Sequence, residues 1–313
     1  MDNIVLNIAI VIPAYNEEET INFTIETLKE YIESLSEKYT LVFVDDGSSD
    51  KTWSIIKKYI VKGYPIEGLS LSRNFGHQAA LYAGMEFCYS KYDAIISIDC
   101  DLQQDIKAIP RLVESFKSGN EIVYAARNHR ESDSFLKRIT AKLFYKLMSI
   151  LDVALIKDHA DYRLISNKAL AALLEYKEVD IFLRGLLPTL GFKSEIIKFE
   201  VSEREYGISK YTWKKMVNLA NNGILSFTAA PLYLIFILGL FITLLSVTYV
   251  VYGFVSKIFL DAVPGWSSLI VSIYFLGGVQ MLSIGIIGLY VNKIYYQSKN
   301  RPRYIVQSFL TND

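Results

Sequence analysis

Residues 94–103 read Ala94-Ile95-Ile96-Ser97-Ile98-Asp99-Cys100-Asp101-Leu102-Gln103, a short apolar run that ends in two aspartates one residue apart. The run is typical of a buried β-strand, and the aspartates then lie at the carboxyl end of that strand. Two carboxylates in this position can hold a hard divalent cation, with a substrate diphosphate supplying further oxygen ligands. Asp-x-Asp also occurs in ordinary turns, so its meaning depends on the surrounding motifs.

Short apolar runs alternate with helical patterns over the first part of the chain. Strands are predicted near residues 8–12, 41–44, 68–71, 94–98 and 121–126, and helices near 17–35, 50–61, 78–89 and 106–117. This order predicts a mostly parallel sheet with helices on both faces. Ligands of such sheets bind outside the carboxyl ends of the strands. Here those ends carry polar clusters at residues 13–17, 45–48, 72–74 and 99–101.

Two long segments without charged residues follow, at 229–256 and 263–292. Each exceeds the roughly 20 residues that cross a bilayer as a helix. We therefore expect transmembrane helices at 229–256 and 264–292, with two buried core helices as the alternative. Lysines and arginines flank the pair on its outer sides, whereas the short connection holds only Lys257 and Asp261. The positive-inside rule then predicts a multi-pass protein of the inner (plasma) membrane with both termini cytoplasmic.

The rest of the chain divides around these segments. Residues 1–209 are predicted to be a cytoplasmic globular domain, 210–228 a juxtamembrane interfacial helix and 293–313 a cytoplasmic tail. Residues 134–151 carry basic side chains among apolar ones at helical spacing, which predicts either an interfacial helix or a surface helix over the core. The chain has 33 Lys plus Arg and 33 Asp plus Glu. This balance argues against nucleic acid as a partner. The two apolar segments predict membrane lipid as a partner instead.

A second acidic motif, Asp45-Asp46-Gly47-Ser48-Ser49-Asp50, follows a predicted strand and opens a helix. A tight turn with Ser49 or Asp50 as the helix cap explains part of it. Capping does not need two adjacent carboxylates at a strand end. One of them could accept hydrogen bonds from a nucleobase or a ribose, and the residues alone leave both interpretations open.

Four motifs occur in the order and spacing of family 2 glycosyltransferases. They are Pro13-Ala14-Tyr15-Asn16-Glu17, Asp45-Asp46-Gly47-Ser48-x-Asp50, Ser72-Arg73-Asn74-Phe75-Gly76-His77 and Asp99-x-Asp101-Leu102-Gln103. More narrowly, the chain resembles the polyprenyl-phosphate glycosyltransferases, which include dolichyl-phosphate mannose synthases and bactoprenol glucosyltransferases. The resemblance continues through residues 158–164, 182–185 and 204–211 into the paired apolar segments, and so covers nearly the whole chain.

This resemblance implies a Rossmann-like GT-A fold and an enzyme that uses Mg²⁺ or Mn²⁺. It implies inverting transfer of a sugar from a UDP-sugar to a polyprenyl phosphate. Glucose and undecaprenyl phosphate are expected, because Phe75-Gly76-His77-Gln78 resembles the bactoprenol branch. A mannosyltransferase that uses GDP-mannose is the main alternative, followed by a processive polysaccharide synthase and a catalytically silent membrane scaffold. Relatives in the bactoprenol branch also suggest a homo-tetramer.

The resemblance assigns roles to individual residues. The metal–diphosphate cluster matches Asp99, Asp101 and Gln103. Donor binding matches Pro13, Tyr15, Glu17, Asp45, Asp46, Arg73, Asp99, Gln103, Arg163, Arg184, Arg204 and Ser209. Arg163 and Arg184 could instead be structural ion-pair partners. His77 is interpreted as a helix-start residue or a residue that supports the site, and not as a metal ligand.

The catalytic assignments follow from the chemistry of the acceptor. Its phosphate is largely ionised at neutral pH, so a strong general base is not required and positioning dominates. Asp161, or else Asp158, could orient the sugar or act as a weak base. Basic residues near the acceptor phosphate match Arg127 and Arg130. Lys210 matches the loop that closes over both phosphates, with a snorkelling lysine at the membrane as the alternative.

The sequence departs from the family pattern in two places. Many relatives have Asp-Pro-Pro after the position of Gln103, whereas this chain has Gln104-Asp105-Ile106. The carboxylate of Asp105 is thus shifted by one residue, which puts its role as an extra metal ligand in doubt. Ala160 replaces a glycine common in the family's version of its loop, which would reshape the sugar pocket.

Overall fold

The computed structural model describes residues 5–127, 156, 159–178, 181–200, 230–259 and 266–311. The chain forms two compact units. One comprises Met1–Val217 with Pro302–Asp313, and the other comprises Asn218–Arg301. The helices expected at residues 134–151 and 210–228 lie outside the described residues.

The first unit is an α/β fold. Its strands are β1 (Asn7–Ala14), β2 (Lys38–Asp45), β3 (Ile66–Leu71), β4 (Ala94–Ser97), β5 (Ile122–Arg127), β6 (His159–Ser166), β7 (Ser194–Phe199) and β8 (Val306–Leu310). Its described helices are α1 (Ile21–Glu33), α2 (Thr52–Val61), α3 (His77–Cys88), α4 (Ile109–Lys117), α5 (Asn167–Leu174) and α6 (Leu183–Thr189), with a 3₁₀ turn at Ile106–Ala108. Every strand and helix predicted before residue 127 is present.

The strands form one mixed sheet in the order β7-β5-β6-β4-β1-β2-β3-β8. Strands β1, β2, β3 and β4 are mutually parallel, and β7 is parallel to β5. Strands β6 and β8 pair with their neighbours antiparallel. The predicted mostly parallel sheet is therefore right for the first four strands and incomplete beyond them. A β-α alternation reveals strands joined by helical crossovers, and β6 and β8 come after that alternation ends.

Strand β8 comes from the segment predicted to be a cytoplasmic tail, and the strand is part of the first unit. It pairs antiparallel with β3, for example Gly68 with Leu310. Just before it, the Arg303 guanidinium lies 4.5 Å from the Tyr82 ring and donates through Nε to the carbonyl oxygen of Glu178 at 2.7 Å. These contacts hold the segment against α3 and the chain that follows α5.

The core positions α3 closely over the sheet. Strand β1 is buried on both faces, with Ile10 and Ile12 alternating with Val11. A Cβ atom built on Gly84 of α3 would lie 2.5 Å from Cγ1 of Val11 and 2.7 Å from Cγ2 of Val44. Glycine thus lets α3 approach the sheet more closely than any other residue would. Because α3 follows β3 in the chain, its first residue lies at the carboxyl edge of the sheet.

We expect Gly47→Ala to destabilise the protein by about 2–4 kcal/mol. Gly47 has φ +67°, and a Cβ there would lie 2.3 Å from the carbonyl carbon of Arg73, which is backbone and cannot swing away. The matched control is Gly63→Ala, because Gly63 has φ +77° with nothing within 4 Å of an added Cβ. It should cost only the conformational strain, about 1 kcal/mol. Thermal unfolding of the full chain in detergent measures both, and equal losses would contradict the clash.

The second unit contains two long helices, α7 (Ala230–Phe259) and α8 (Trp266–Ser298). Among the described residues, one segment is long and apolar enough to cross a membrane: Phe275–Ser298 in α8, with mean hydropathy 1.5. Helix α7 contributes a shorter apolar stretch, Pro231–Ile242, and several of its later side chains lie outside the described set. The prediction of two spans is therefore not confirmed and stays a prediction.

Candidate active site

Strand register brings Asp99 and Asp161 together at one edge of the sheet. β4 ends at Ser97, two residues before Asp99, and Ser97 pairs with Arg163 on the antiparallel β6. Asp161 is therefore two residues beyond that pair on the neighbouring strand. The Ser97 hydroxyl fixes this position by donating to the backbone oxygen of Asp161 at 2.8 Å. Because β1, β2 and β3 run parallel to β4, their carboxyl ends lie at the same edge.

The Asp161 carboxylate is buried and accepts hydrogen bonds from three elements. The Arg184 guanidinium donates twice, through Nε to Oδ1 at 3.2 Å and through Nη2 to Oδ2 at 3.1 Å. Arg163 Nη2 also donates to Oδ1, and Gln78 Nε2 donates to Oδ2 at 3.1 Å. His77 Nε2 lies 3.5 Å from Oδ2. Asp161 thus joins α3, β6 and α6.

This surrounding keeps Asp161 ionised. Burial would raise the pKa of its carboxyl, but the charges of Arg184 and Arg163 outweigh burial and hold the pKa well below its usual range. A carboxylate with a depressed pKa and occupied oxygens is a poor proton acceptor. The geometry therefore favours an orienting role for Asp161 over the role of weak base.

The two arginines differ in exposure. Arg163 is fully buried, and within the part of the chain that the structure describes, its Nε and Nη1 have no hydrogen-bond partner. It is the ion-pair partner that the sequence offered as its alternative role, since a buried cation needs a buried anion. The Arg184 side chain remains 32% exposed while it binds Asp161. Arg184 can therefore hold the carboxylate and also face a ligand.

His77 links the two acidic clusters. As the first residue of α3 it follows Gly76, and its Nε2 lies 3.6 Å from Asp99 Oδ1 as well as close to Asp161. Burial lowers the pKa of the imidazole, but the hydrogen bond to Asp161 and the charge of Asp99 raise it above its ordinary value overall. The side chain is 44% exposed. The sequence placed His77 in a supporting role, and its contact with both carboxylates gives it a place inside the site.

Gln104 holds Asp99. Its Oε1 accepts the Asp99 backbone N–H at 2.9 Å, and its Nε2 donates to Asp99 Oδ2 at 2.6 Å. The Gln104 side chain is buried. Desolvation of the Asp99 carboxyl raises its pKa. The second aspartate of the motif, Asp101, accepts the backbone N–H of Gln103 through Oδ1 at 3.3 Å. The sequence did not identify Gln104 as functional, although its departure from the family pattern was the signal.

These residues fit a cation that is shared with a substrate. Among the described residues, no group of three His, Cys, Asp or Glu side chains is arranged to hold a metal by itself. Asp99 and Asp101 offer two carboxylates, and Mg²⁺ commonly binds one or two carboxylates together with substrate phosphates. Asp105 is engaged elsewhere, because its Oδ1 accepts the Lys107 N–H at 2.9 Å and caps the 3₁₀ turn.

The acidic pair after β2 builds the neighbouring loops. Asp46 is buried and accepts the backbone N–H groups of Phe75 and Gly76 at 2.8 and 2.9 Å, which fixes the start of α3. Asp45 is also buried and accepts from the Ser48 N–H at 3.2 Å and the Ser70 hydroxyl at 3.1 Å. Burial raises the pKa of Asp46, and the two amide bonds oppose that rise. Both carboxylates thus have structural work besides any contact with a nucleotide.

The remaining predicted donor residues border this edge. Asn16, at φ +52°, accepts the Ser49 N–H at 2.9 Å and ties the loop after β1 to the loop after β2. In the same loop, Tyr15 is 41% exposed, Pro13 is buried in β1, and Glu17 donates its backbone N–H to Thr52 at 2.9 Å. These loops leave an exposed aromatic ring beside buried backbone.

The predicted basic residues are only partly within view. Arg73 is exposed after β3, with its guanidinium 4.0 Å from the Phe75 ring. Arg127 is the last residue of β5; the preceding residue, Ala126, pairs with His159 at the start of β6, the end of that strand near which Asp161 lies. The other predicted site residues lie outside the described residues: Asp158, Arg130, Arg204, Ser209 and Lys210.

A Rossmann-like sheet with an Asp-x-Asp loop, and with a carboxylate held by two arginines at its carboxyl edge, is the arrangement expected of a glycosyltransferase from the sequence resemblance. The profile of the family described as "Glycosyl transferase family 2" matches residues 9–174, from β1 to the end of α5. The chain belongs to this family, and the resemblance drawn from the sequence is confirmed.

Several relatives match over almost the whole length of both chains. An uncharacterized glycosyltransferase, YkoT, of Bacillus subtilis is 41% identical over 98% of this chain and 93% of its own. The bactoprenol glucosyl transferase of Shigella phage SfX is 39% identical over 97% of this chain and 99% of its own. A crystal structure of glucosyl-3-phosphoglycerate synthase from Mycobacterium tuberculosis with Mn²⁺, UDP-glucose and phosphoglyceric acid covers 71% of this chain and 78% of its own, at 18% identity and TM-score 0.48.

Proposed function

We propose that this chain transfers glucose, with inversion, from UDP-glucose to the phosphate of a polyprenyl phosphate. The observation that carries the proposal is the 39% identity to a bactoprenol glucosyl transferase over 97% of this chain. The match includes the site and the apolar helices together. A soluble activated sugar and a membrane-embedded acceptor need both parts in one protein.

The donor side of the site would neutralise the leaving group. Asp99 and Asp101 would hold Mg²⁺ or Mn²⁺, which supplies a positive charge to the diphosphate as it departs. Arg184, partly exposed beside Asp161, adds fixed positive charge at the same edge. Such preorganised charge favours the transition state over the ground state. Asp161 holds Arg184 in place, and its orienting role would act on the sugar through that arginine.

The acceptor side would work mainly by positioning. The nucleophile is an oxygen of the acceptor phosphate, which needs no strong base. The protein must therefore bring two anions into line despite their mutual repulsion. We assign this task to Arg127 at the end of β5, and to Arg130 and Lys210. Arg204 and Ser209 would close over the donor.

We further propose that α7 and α8 both cross the plasma membrane, with the first unit and both termini in the cytoplasm. The uncharged segments and the basic flanks support this topology. Cysteine accessibility at Lys257→Cys would test it, because the residue should react only with reagent added from outside. The homo-tetramer stays a prediction. Light scattering of the detergent-solubilised protein would test it.

The decisive experiment supplies the purified full chain with undecaprenyl phosphate, Mn²⁺ and radiolabelled UDP-glucose. We expect label in the organic-solvent phase, in a product that mild acid hydrolyses to free glucose. Parallel reactions contain UDP-galactose, UDP-N-acetylglucosamine or GDP-mannose. Transfer from GDP-mannose alone would establish the mannosyltransferase alternative. If no donor gave a lipid-linked sugar, the proposed enzymatic activity would be overturned.

A further inference from the structure

Gln78 lies where two elements of the site meet, and we propose that it is a positioning residue for Arg184 in the transfer reaction. The inference deepens the proposed function and rests on it. The side-chain amide of Gln78 makes two hydrogen bonds of opposite sense. Nε2 donates to Asp161 Oδ2 at 3.1 Å, and Oε1 accepts the backbone N–H of Leu183 at 3.2 Å.

The bond to Leu183 fixes the beginning of α6. The first N–H groups of a helix have no acceptor within that helix, so their partners come from elsewhere. Phe182, the residue before α6, makes no side-chain capping bond. Gln78 therefore caps α6 from α3. Arg184 is the next residue after Leu183, so this contact positions the Arg184 backbone from which its side chain extends.

The hydrogen bond from Gln78 to Asp161 helps to orient the carboxylate to which Arg184 binds. Arg184 binds the Asp161 carboxylate through two nitrogens, at 3.2 and 3.1 Å. Such a two-point contact depends on the orientation of the carboxylate plane. Gln78 and Arg184 both donate to Oδ2, so loss of the amide would remove one of the restraints on the orientation of the carboxylate. Arg184 is 32% exposed, and its outer surface is the part that a phosphate would meet.

Only an amide can make both bonds. A glutamate at this position keeps an acceptor for the Leu183 N–H but has no donor for Asp161 and adds a negative charge beside it. A leucine keeps most of the volume and makes neither bond. The two substitutions therefore separate a helix-capping role from a bridging role.

We expect kcat of Gln78→Leu to fall by about 10- to 100-fold, with the KM for UDP-glucose changed by less than about threefold. Gln78→Glu should fall further than Gln78→Leu, because its charge repels Asp161. A role confined to capping α6 predicts the reverse order, with Gln78→Glu close to wild type. That order would overturn the proposal.

A double-mutant cycle identifies the group through which Gln78 acts. Arg184→Lys removes the two-point contact, because an ammonium cannot form it. In that background Gln78→Leu should cost less than about twofold in kcat. Additive losses would overturn the proposal. The control is Asn120→Ala, whose buried amide donates to Ser115 and Glu195 outside the site. It should lower Tm and leave kcat within about twofold of wild type.

The cycle also separates this inference from the proposed function. If the wild type forms no glucosyl lipid, the proposed function fails by itself. The contact of Gln78 with the Asp161–Arg184 pair is then measured by Tm, without substrate. Non-additive Tm losses for Gln78→Leu and Arg184→Lys support the link between these residues, and additive losses overturn it.

Discussion

Asp101→Asn should lower kcat/KM for UDP-glucose by about a thousandfold. Asp101 and Asp99 supply the two carboxylates of the loop after β4, and asparagine keeps the shape of Asp101 while removing its charge. The loss should appear in cation binding as well as in turnover. We expect the affinity for Mn²⁺ in the presence of UDP, measured by electron paramagnetic resonance, to fall by at least about tenfold.

Asp105→Asn is the matched control in the same loop. The Asp105 carboxylate accepts the Lys107 N–H and caps the 3₁₀ turn, a role that asparagine fills well. Its Mn²⁺ affinity and turnover should stay within about twofold of wild type. If Asp105→Asn weakened Mn²⁺ binding as much as Asp101→Asn, the shifted carboxylate would be a ligand and the assignment to Asp101 would need revision.

Asp161→Asn should reduce activity to about 1% of wild type or less. It should also lower the free energy of unfolding by about 3–5 kcal/mol. The reason is that Arg163 is fully buried and Arg184 partly so, and both lose their anion. A buried cation without a partner costs more than the missing hydrogen bonds alone. Thermal unfolding and turnover of the same preparation measure the two effects together.

The joint loss distinguishes an orienting carboxylate from a base. A base that hydrogen-bonds only to substrate would lose activity on substitution with little change in Tm. Asp93→Asn is a suitable comparison, because Asp93 Oδ2 accepts the Asn7 N–H at 2.8 Å at an exposed position. It should lower stability by no more than about 1 kcal/mol and leave turnover unchanged. An inactive Asp161→Asn with the Tm of wild type would restore the base to consideration.

The sequence predicted the part of the fold that local pattern determines. Apolar runs followed by helical periods located the first five strands, and the aspartates after β4 located the carboxyl edge of the sheet, where we predict that ligands bind. It did not predict that β6 runs antiparallel beside β4, because register between distant strands depends on tertiary pairing. That register is what puts Asp161 level with Asp99.

The supporting amides were also hidden from the sequence. Gln78 and Gln104 belong to ordinary polar positions until the fold sets a carboxylate beside each of them. Asp46 shows the same limit, since its partners are backbone N–H groups, and a backbone donor leaves no mark in the sequence. Side-chain chemistry was readable where a motif carried it, and contacts with the backbone were not.

Strand β8 gives this protein a fixed order of assembly during synthesis. The sheet needs residues 306–310 at its β3 edge, where Gly68 pairs with Leu310, and these residues leave the ribosome after α7 and α8. The nascent first unit therefore keeps an open strand edge at β3 until both long helices have been synthesised. A complete sheet would then arise only on chains whose long helices are already made, so a chain that stops before those helices would lack the strand that covers the β3 edge.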